Sequence, residues 1–206
     1  MNETVQRLLA SNRDHAGSGG SRFDDLQEGQ APEAVSVCCS DSRVLHEHLW
    51  GIDEPGRVFT VGNIGNRVSQ RTADGEPVVA GDVLYPLRYT GTETAVVVGH
   101  TGCGAVTATY DALTEGGDES TPAGVRACID LLAPGLRPAV GALPEDVDRE
   151  AAIDYLVEAN VDRQIELLQE SDDVPDETAL VGVVYDFQDV YGGRRGEVHV
   201  VNVDGE

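Results

Sequence analysis

The chain has 206 residues, which is enough for one sizeable hydrophobic core, and we expect a single domain over residues 1–206. Its 37 acidic and 14 basic residues give a net charge of −23, and every one of those basic residues is arginine. A chain of this charge repels nucleic acid and anionic membrane surfaces, so we expect neither as a partner.

The N-terminal segment is predicted to be a helical arm. Residues 3–14 have Val5, Leu8 and Leu9 at helical spacing, and the glycine-serine run at 17–21 ends the helix. We therefore interpret residues 1–20 as a helical arm and linker. A helix held away from its own domain by a flexible connector often packs on a partner subunit.

The first half of the body is predicted to contain two strands and a helix. "EAVSVCC" is a short β-prone run, followed by "SDSRV" and a helical turn in "LHEHLWG". "GRVFTVGNIGN" is a second strand that closes in a Gly/Asn loop. Residues 77–89 have apolar positions at helical spacing, and we expect Pro86 to kink or shorten that helix.

The second half of the chain predicts an α/β fold. "ETAVVVGHTGCGAV" is an apolar strand that runs through a glycine-rich turn into a helix, and residues 114–149 are predicted to be a surface excursion with some helix. "ALVGVVYDF" and "GEVHVVNV" are the last strands, joined as a hairpin. This order predicts a central, mostly parallel sheet with an antiparallel edge strand, flanked by helices. The clearest helix spans residues 151–169, with a buried stripe of Ile153, Leu156, Val157, Asn160, Val161, Gln164 and Leu168.

Two groups of metal-binding residue types follow two of the predicted strands. Cys39 ends the first strand, and His100 and Cys103 flank the glycine turn after the third. Strand ends of a parallel sheet are where sites assemble. Two thiolates and an imidazole fill three positions of a tetrahedral zinc site and leave the fourth for water or substrate. Cys39, His100 and Cys103 are therefore predicted to bind Zn²⁺.

In the stretch "CCSDSR", strand alternation would place the candidate functional residues on one side and their neighbours on the other. If it is extended, Cys39, Asp41 and Arg43 point to one side and Cys38 to the other. Cys38 is then a small buried side chain in the sheet. Cys128, in "GVRACIDLL", is expected to be a core residue of a helix.

These motifs resemble those of the β-class carbonic anhydrases. "CSDSRV", "VFTVGNIGN" and "GHTGCGAV" carry the resemblance, which extends over nearly the whole chain to "LVGVVYDFQDVYGGRRGEV". The resemblance implies a zinc lyase that hydrates carbon dioxide reversibly to bicarbonate and a proton, through zinc-bound hydroxide. It implies that Asp41 and Arg43 form a carboxylate-guanidinium dyad, and that Asp41 is the fourth zinc ligand in a closed form.

The resemblance also implies a substrate pocket and an assembly. Gln30, Phe59 and Tyr85 match the positions that line the pocket in the plant-like branch of the family. The family is built from homodimers or dimers of dimers, with the site at the dimer interface. The chain departs from the family at Gly62, where an arginine usually precedes the asparagine of "R-N-x-x-N".

The same residues are compatible with two other functions, and the N-terminus and the composition indicate the protein's environment. A zinc enzyme acting on carbon disulfide-like substrates could use the same scaffold, and a noncatalytic protein could use zinc only to stabilise its fold. The N-terminus lacks the basic start and apolar core of a signal peptide, so we expect a cytoplasmic protein. Acid excess without lysine is typical of proteins from salt-loving organisms, which work where the Debye length is about 3 Å.

Overall fold

The computed structural model describes residues 2–17, 20–118 and 120–206. The strands are β1 (Ala34–Cys39), β2 (Val58–Asn63), β3 (Ser69–Arg71), β4 (Pro77–Val79), β5 (Thr94–His100), β6 (Ala179–Asp186) and β7 (Glu197–Val203). The α-helices are α1 (Glu3–Gly17), α2 (Gly81–Tyr89), α3 (Gly104–Thr114), α4 (Ala123–Gly141) and α5 (Arg149–Gln169). Short 3₁₀ turns cover Gly20–Leu26 and His48–Trp50.

The main sheet has the order β2-β1-β5-β6-β7. The first four strands are parallel, and β7 returns antiparallel to β6 as the edge strand. This confirms the predicted α/β architecture. The chain leaves β1 for β2 on one side and comes back to β5 on the other. The carboxyl ends of β1 and β5 therefore flank the point where the strand order reverses, which is where sites form in open α/β sheets.

The two faces of the sheet are covered unequally. Val37 and Val97 belong to the larger core cluster together with Leu156 of α5. On the opposite face Cys38 packs in a small cluster that Trp50 covers. Because neighbouring residues of a strand point to opposite faces, adjacent Cys38 and Cys39 lie in different clusters.

The prediction of one helix over residues 77–89 is wrong at its start. Residues Pro77–Val79 form β4, which pairs antiparallel with β3, and α2 begins only at Gly81. Pro86 lies inside α2, which continues to Tyr89. The apolar residues of β4 happen to fall at helical spacing relative to those of α2. The hydrophobic pattern alone therefore could not show where the strand ends and the helix begins.

The predicted surface excursion with some helix, over residues 114–149, contains a long helix with one buried face. Residues Ala123–Gly141 form the 19-residue helix α4, which contains Pro134 and Pro138. Its Ile129, Leu132 and Leu136 are buried. Because proline is unfavourable inside a helix, the two prolines argued against a helix here. The apolar face of α4 nevertheless packs in the core.

The N-terminal helix is longer than predicted, since α1 extends from Glu3 to Gly17. Every residue of α1 is exposed, and the Leu8 side chain retains 65% of its accessible area. Within the described ranges, no helix combines the length and the apolar character needed to cross a membrane.

Candidate metal centre

Three potential ligands converge at the carboxyl ends of β1 and β5. Cys39 is the last residue of β1, His100 is the last of β5, and Cys103 caps the start of α3 after a tight turn. Gly102 makes that turn with φ of 61°, in the left-handed region that favours glycine. The two sulfur atoms and a ring nitrogen all lie within 4.8 Å of one another, and all three residues are buried.

The imidazole of His100 is oriented as a metal ligand would be. Its Nδ1 lies 3.0 Å from the carbonyl oxygen of Thr101. Because a carbonyl can only accept, Nδ1 carries the proton and the lone pair is on Nε2. That Nε2 is buried and has no hydrogen-bond partner in the described part of the chain. A buried acceptor without a partner is unfavourable, and a cation held with the two sulfur atoms would satisfy it.

The two thiols differ in how readily they release a proton. A hydrogen bond from Cys103 lowers the pKa of Cys39 against the opposing effect of burial, and the N–H of Gly65 assists. The same contact, together with burial, raises the pKa of Cys103, while N–H groups of Val106 and Ala105 at the start of α3 favour its thiolate. The site therefore holds one thiolate readily and gains the second when a cation binds. Two thiolates and a neutral imidazole fit a zinc ion.

Asp41 and Arg43 form a bidentate ion pair beside these ligands. Arg43 Nε donates to Asp41 Oδ1 at 2.8 Å and Nη2 to Oδ2 at 2.6 Å. Nη2 also donates to the carbonyl of Gly102 at 3.2 Å. The hydrogen bonds from Arg43 hold the pKa of Asp41 well below its usual range. Asp41 Oδ2 lies 3.9 Å from Nε2 of His100, so the dyad borders the ligand group.

The extended geometry assumed for residues 38–43 is wrong beyond Cys39. The strand ends there, and the chain turns so that the N–H of Arg43 donates to Asp41 Oδ1 at 2.9 Å. The N–H of Val44 donates to the carbonyl of Asp41 at 2.9 Å, which closes the turn. Asp41 and Arg43 still come together, but because of this turn and not because of strand alternation.

A family model described as carbonic anhydrase matches residues 34–194 of the chain, a range that includes the three ligands and the dyad. The chain belongs to the β-class carbonic anhydrase family. A carbonic anhydrase of Pseudomonas aeruginosa is 36% identical over 106 residues, covering 52% of this chain and 47% of that protein. One of Mycolicibacterium smegmatis is 33% identical over 131 residues, covering 63% and 58%. These matches span about half the length of the two relatives.

The fold is also that of known structures of the class. A tetrameric β-carbonic anhydrase from the fungus Sordaria macrospora superposes with a TM-score of 0.78 at 22% identity, over 97% of each chain. The similarity of fold therefore covers almost the whole chain, beyond residues 34–194 that the family model matches.

Gly62 departs from the β-carbonic anhydrase motif, and the structure gives the departure a local role. A Cβ atom at Gly62 would lie 2.7 Å from Cε1 of His46. The glycine thus makes room for this ring, whose Nε2 lies 3.1 Å from the carbonyl oxygen of Cys39. The following asparagine keeps its loop contacts, since the Asn63 amide both accepts from and donates to the backbone of Arg67 at 2.8 Å.

Two buried amides of α5 anchor the loop that contacts the Cys39 thiolate. Gln164 accepts from the N–H of Val68 at 2.9 Å and donates to Asn160 at 3.2 Å. Asn160 in turn donates to the carbonyl of Gly65 at 3.2 Å. Gly65 has φ of 81°, and the N–H of this residue reaches Cys39. The helix stripe was correctly predicted as buried, but its two polar members hold the metal site's loop in place.

The three predicted pocket residues lie away from the ligands within one chain. Phe59 precedes Asn63 by four positions on β2, and Asn63 is the register partner of Cys39. Phe59 is therefore displaced from Cys39 by about 13 Å along the strands. Tyr85 lies 6.1 Å from Phe59 between ring centroids, and exposed Gln30 precedes the opposite end of β1. A single chain does not bring Gln30, Phe59 and Tyr85 to the metal site.

The remaining cysteines lie outside the ligand group. Burial raises the pKa of Cys38 to about 12, so it remains a neutral side chain in the sheet, as expected. Cys128 lies on α4 but is only half-buried, and Arg67 approaches its sulfur at 3.7 Å. Cys128 therefore lies on a helix and outside the ligand group, as expected, but it is less buried than a core residue.

Sequence analysis missed Phe187, which contacts both parts of the site. Its ring lies 5.7 Å from that of His100 and 4.5 Å from Cζ of Arg43. The only sequence signal was its position as the last residue of the predicted strand "ALVGVVYDF", next to Asp186, at which the observed strand ends.

Proposed function

We propose that the chain catalyses the reversible hydration of carbon dioxide to bicarbonate and a proton, with Zn²⁺ held by Cys39, His100 and Cys103. The observation that carries the proposal is the buried Cys-His-Cys group with its unpartnered His100 Nε2 beside the Asp41–Arg43 pair. Family membership supports the same reaction. When bound, zinc supplies a Lewis acid that lowers the pKa of water and provides a nucleophile at neutral pH.

Asp41 orients the reacting water in this proposal. Its pKa is held low by Arg43, so the carboxylate stays ionised and acts only as an acceptor. It accepts the proton of a water oxygen as a hydrogen bond, which turns the oxygen lone pair toward carbon dioxide. Arg43 and the Gly102 carbonyl to which it donates fix the carboxylate in that orientation. Release from Arg43 would let Asp41 turn toward the ligand group and become a fourth ligand in a closed form.

The substrate pocket is completed by a second copy of the chain in this proposal. Gln30, Phe59 and Tyr85 lie far from their own chain's ligands, and Tyr85 is 47% exposed. A homodimer, alone or paired into a dimer of dimers, would place one copy's aromatic side chains against the other's metal site. There Gln30 would hydrogen-bond a substrate oxygen, and Phe59 and Tyr85 would keep the pocket small and apolar. This residue set supports the proposal that the chain belongs to the plant-like branch.

We also propose a halophile-type enzyme located in the cytoplasm. The net charge of −23 on a chain without lysine supports adaptation to high salt. All four cysteines are free thiols, as is usual in a reducing compartment.

A stopped-flow assay of zinc-loaded protein with carbon dioxide and with carbon disulfide tests the reaction. We expect hydration of carbon dioxide that is lost in Cys39→Ser and retained in Cys128→Ser, the matched control away from the ligands. Preference for carbon disulfide would favour the related zinc enzyme on this scaffold. Zinc binding with neither activity would favour a structural metal.

A further inference from the structure

Phe187 lies between the metal ligand His100 and the dyad residue Arg43. Its half-buried ring stacks on the imidazole with an interplanar angle of 24°, and the guanidinium lies over the ring with Cζ 4.5 Å from the centroid. The distance is within the range of a cation–π interaction. One side chain thus contacts both functional halves of the site.

The backbone at Phe187 is held by hydrogen bonds in which Arg43 takes no part. The adjacent Asp186 is only 2% exposed and accepts the N–H groups of Gln188 and Tyr191 at 3.0 and 2.9 Å. The N–H of Phe187 donates to Thr101 Oγ1 at 3.3 Å. Burial alone would raise the pKa of Asp186, but the backbone N–H groups outweigh it and lower that pKa, so the carboxylate that organises the loop stays ionised. The Phe187 backbone is thus held without help from Arg43, and the ring also lies 6.0 Å from that of Tyr185.

Arg43, by contrast, needs support to stay where it is. Its side chain is 50% exposed, and its hydrogen bonds go to Asp41 and the Gly102 carbonyl. Water competes with Asp41 for the exposed guanidinium, whereas the Asp41 side chain itself is only 17% exposed. The Phe187 ring covers one face of the guanidinium and removes the freedom to tilt out of the plane of the Asp41 carboxylate.

We propose that Phe187 is a positioning residue that keeps Arg43 in its bidentate pairing and thereby keeps Asp41 turned away from the metal ligands. This inference rests on the proposed function for its catalytic consequence. Loss of the ring frees Arg43, which frees Asp41 in turn. The closed form then gains population although every ligand and both dyad residues are unchanged.

The test compares Phe187→Leu and Phe187→Met, which lack the ring, with Phe187→Tyr, which retains it. Phe23→Leu, a partly exposed aromatic away from the site, is the matched control. In the metal-free proteins, modification of Arg43 by phenylglyoxal is measured by peptide mass spectrometry. We expect it to be about fivefold faster in the Leu and Met variants, and to have the wild-type rate in the Tyr variant and in the control.

A second measurement uses the visible spectrum of the cobalt-substituted proteins. We expect the spectra of Phe187→Leu and Phe187→Met to move toward that of Arg43→Ala, because all three release Asp41. Wild-type Arg43 modification and wild-type spectra in both variants would overturn the proposal. Having two ring-free variants covers the failure of one to fold. If wild-type zinc protein does not hydrate carbon dioxide, the proposed function fails, while the Arg43 measurement on metal-free protein still decides the role of Phe187.

Discussion

The buried amide Gln164 offers a quantitative test of how the protein holds Cys39. The substitution Gln164→Met keeps the length and approximate volume of the side chain, so the cavity and overpacking costs are small. It removes the acceptor of the Val68 N–H and the donor to Asn160, and all three residues are buried. Each buried group left unpaired costs about 1–3 kcal/mol, so we expect the free energy of unfolding to fall by about 2–6 kcal/mol.

The same substitution should also lower the affinity for zinc, although Gln164 is not a metal ligand. Asn160 loses its contact with Gln164, and the Gly65 loop that donates to the Cys39 thiolate loses its anchor. Loss of such outer contacts typically costs about 10- to 100-fold in metal affinity. Urea unfolding of the metal-free protein gives the stability, and zinc competition with a chromophoric chelator gives the affinity.

Gln70→Met, on an exposed position of β3, is the control for the Gln164 variant and should change neither quantity. Wild-type stability in Gln164→Met would refute the cost assigned to the unpaired groups. Reduced stability with wild-type zinc affinity would refute the connection from α5 to Cys39.

Three further predictions concern the dyad, the loop after β6 and the surface charge. Arg43→Ala should bind zinc but hydrate carbon dioxide about 10- to 100-fold more slowly, because Asp41 loses its orienting partner; undiminished activity in stopped flow would contradict this. Because the folded pKa of Asp186 is lowered, its carboxylate stabilises the fold above the unfolded value near 3.9, and the contribution is lost as pH falls through the folded pKa. Asp186→Asn should therefore be less stable than wild type at pH 7 in urea unfolding, and the difference should narrow below about pH 4; a gap independent of pH would exclude this origin. The melting temperature of the wild type should rise from low to molar salt, because salt screens the repulsion within a net charge of −23. An unchanged melting temperature would refute the idea that this repulsion destabilises the fold.

The metal ligands were predictable from sequence because each one ends a strand or a turn with a strong local signal. Cys39 and His100 end apolar runs that pair as neighbouring parallel strands, so strand order alone brings them together. The turn after Cys39 was not predictable from alternation, since it is closed by the backbone of Arg43 hydrogen-bonding to the Asp41 side chain.

The residues that support the site were harder to predict because their roles depend on distant packing. Phe187 meets Arg43 only because β6 lies beside β5, and no spacing rule connects those two positions. Gln164 was correctly placed on the buried stripe of α5, but periodicity gives burial and not the identity of the buried partner. In α4, the prolines obscured the apolar spacing that the fold uses.

We propose that zinc at Cys39, His100 and Cys103 is the catalytic centre for carbon dioxide hydration. The most direct test titrates zinc into metal-free protein at high salt and measures bound zinc and hydration rate in the same samples. We expect the hydration rate to rise in proportion to bound zinc and to saturate at about one ion per chain. In His100→Ala we expect both zinc binding and hydration to be lost. One tightly bound zinc per chain without hydration, or full hydration by His100→Ala without zinc, would contradict it.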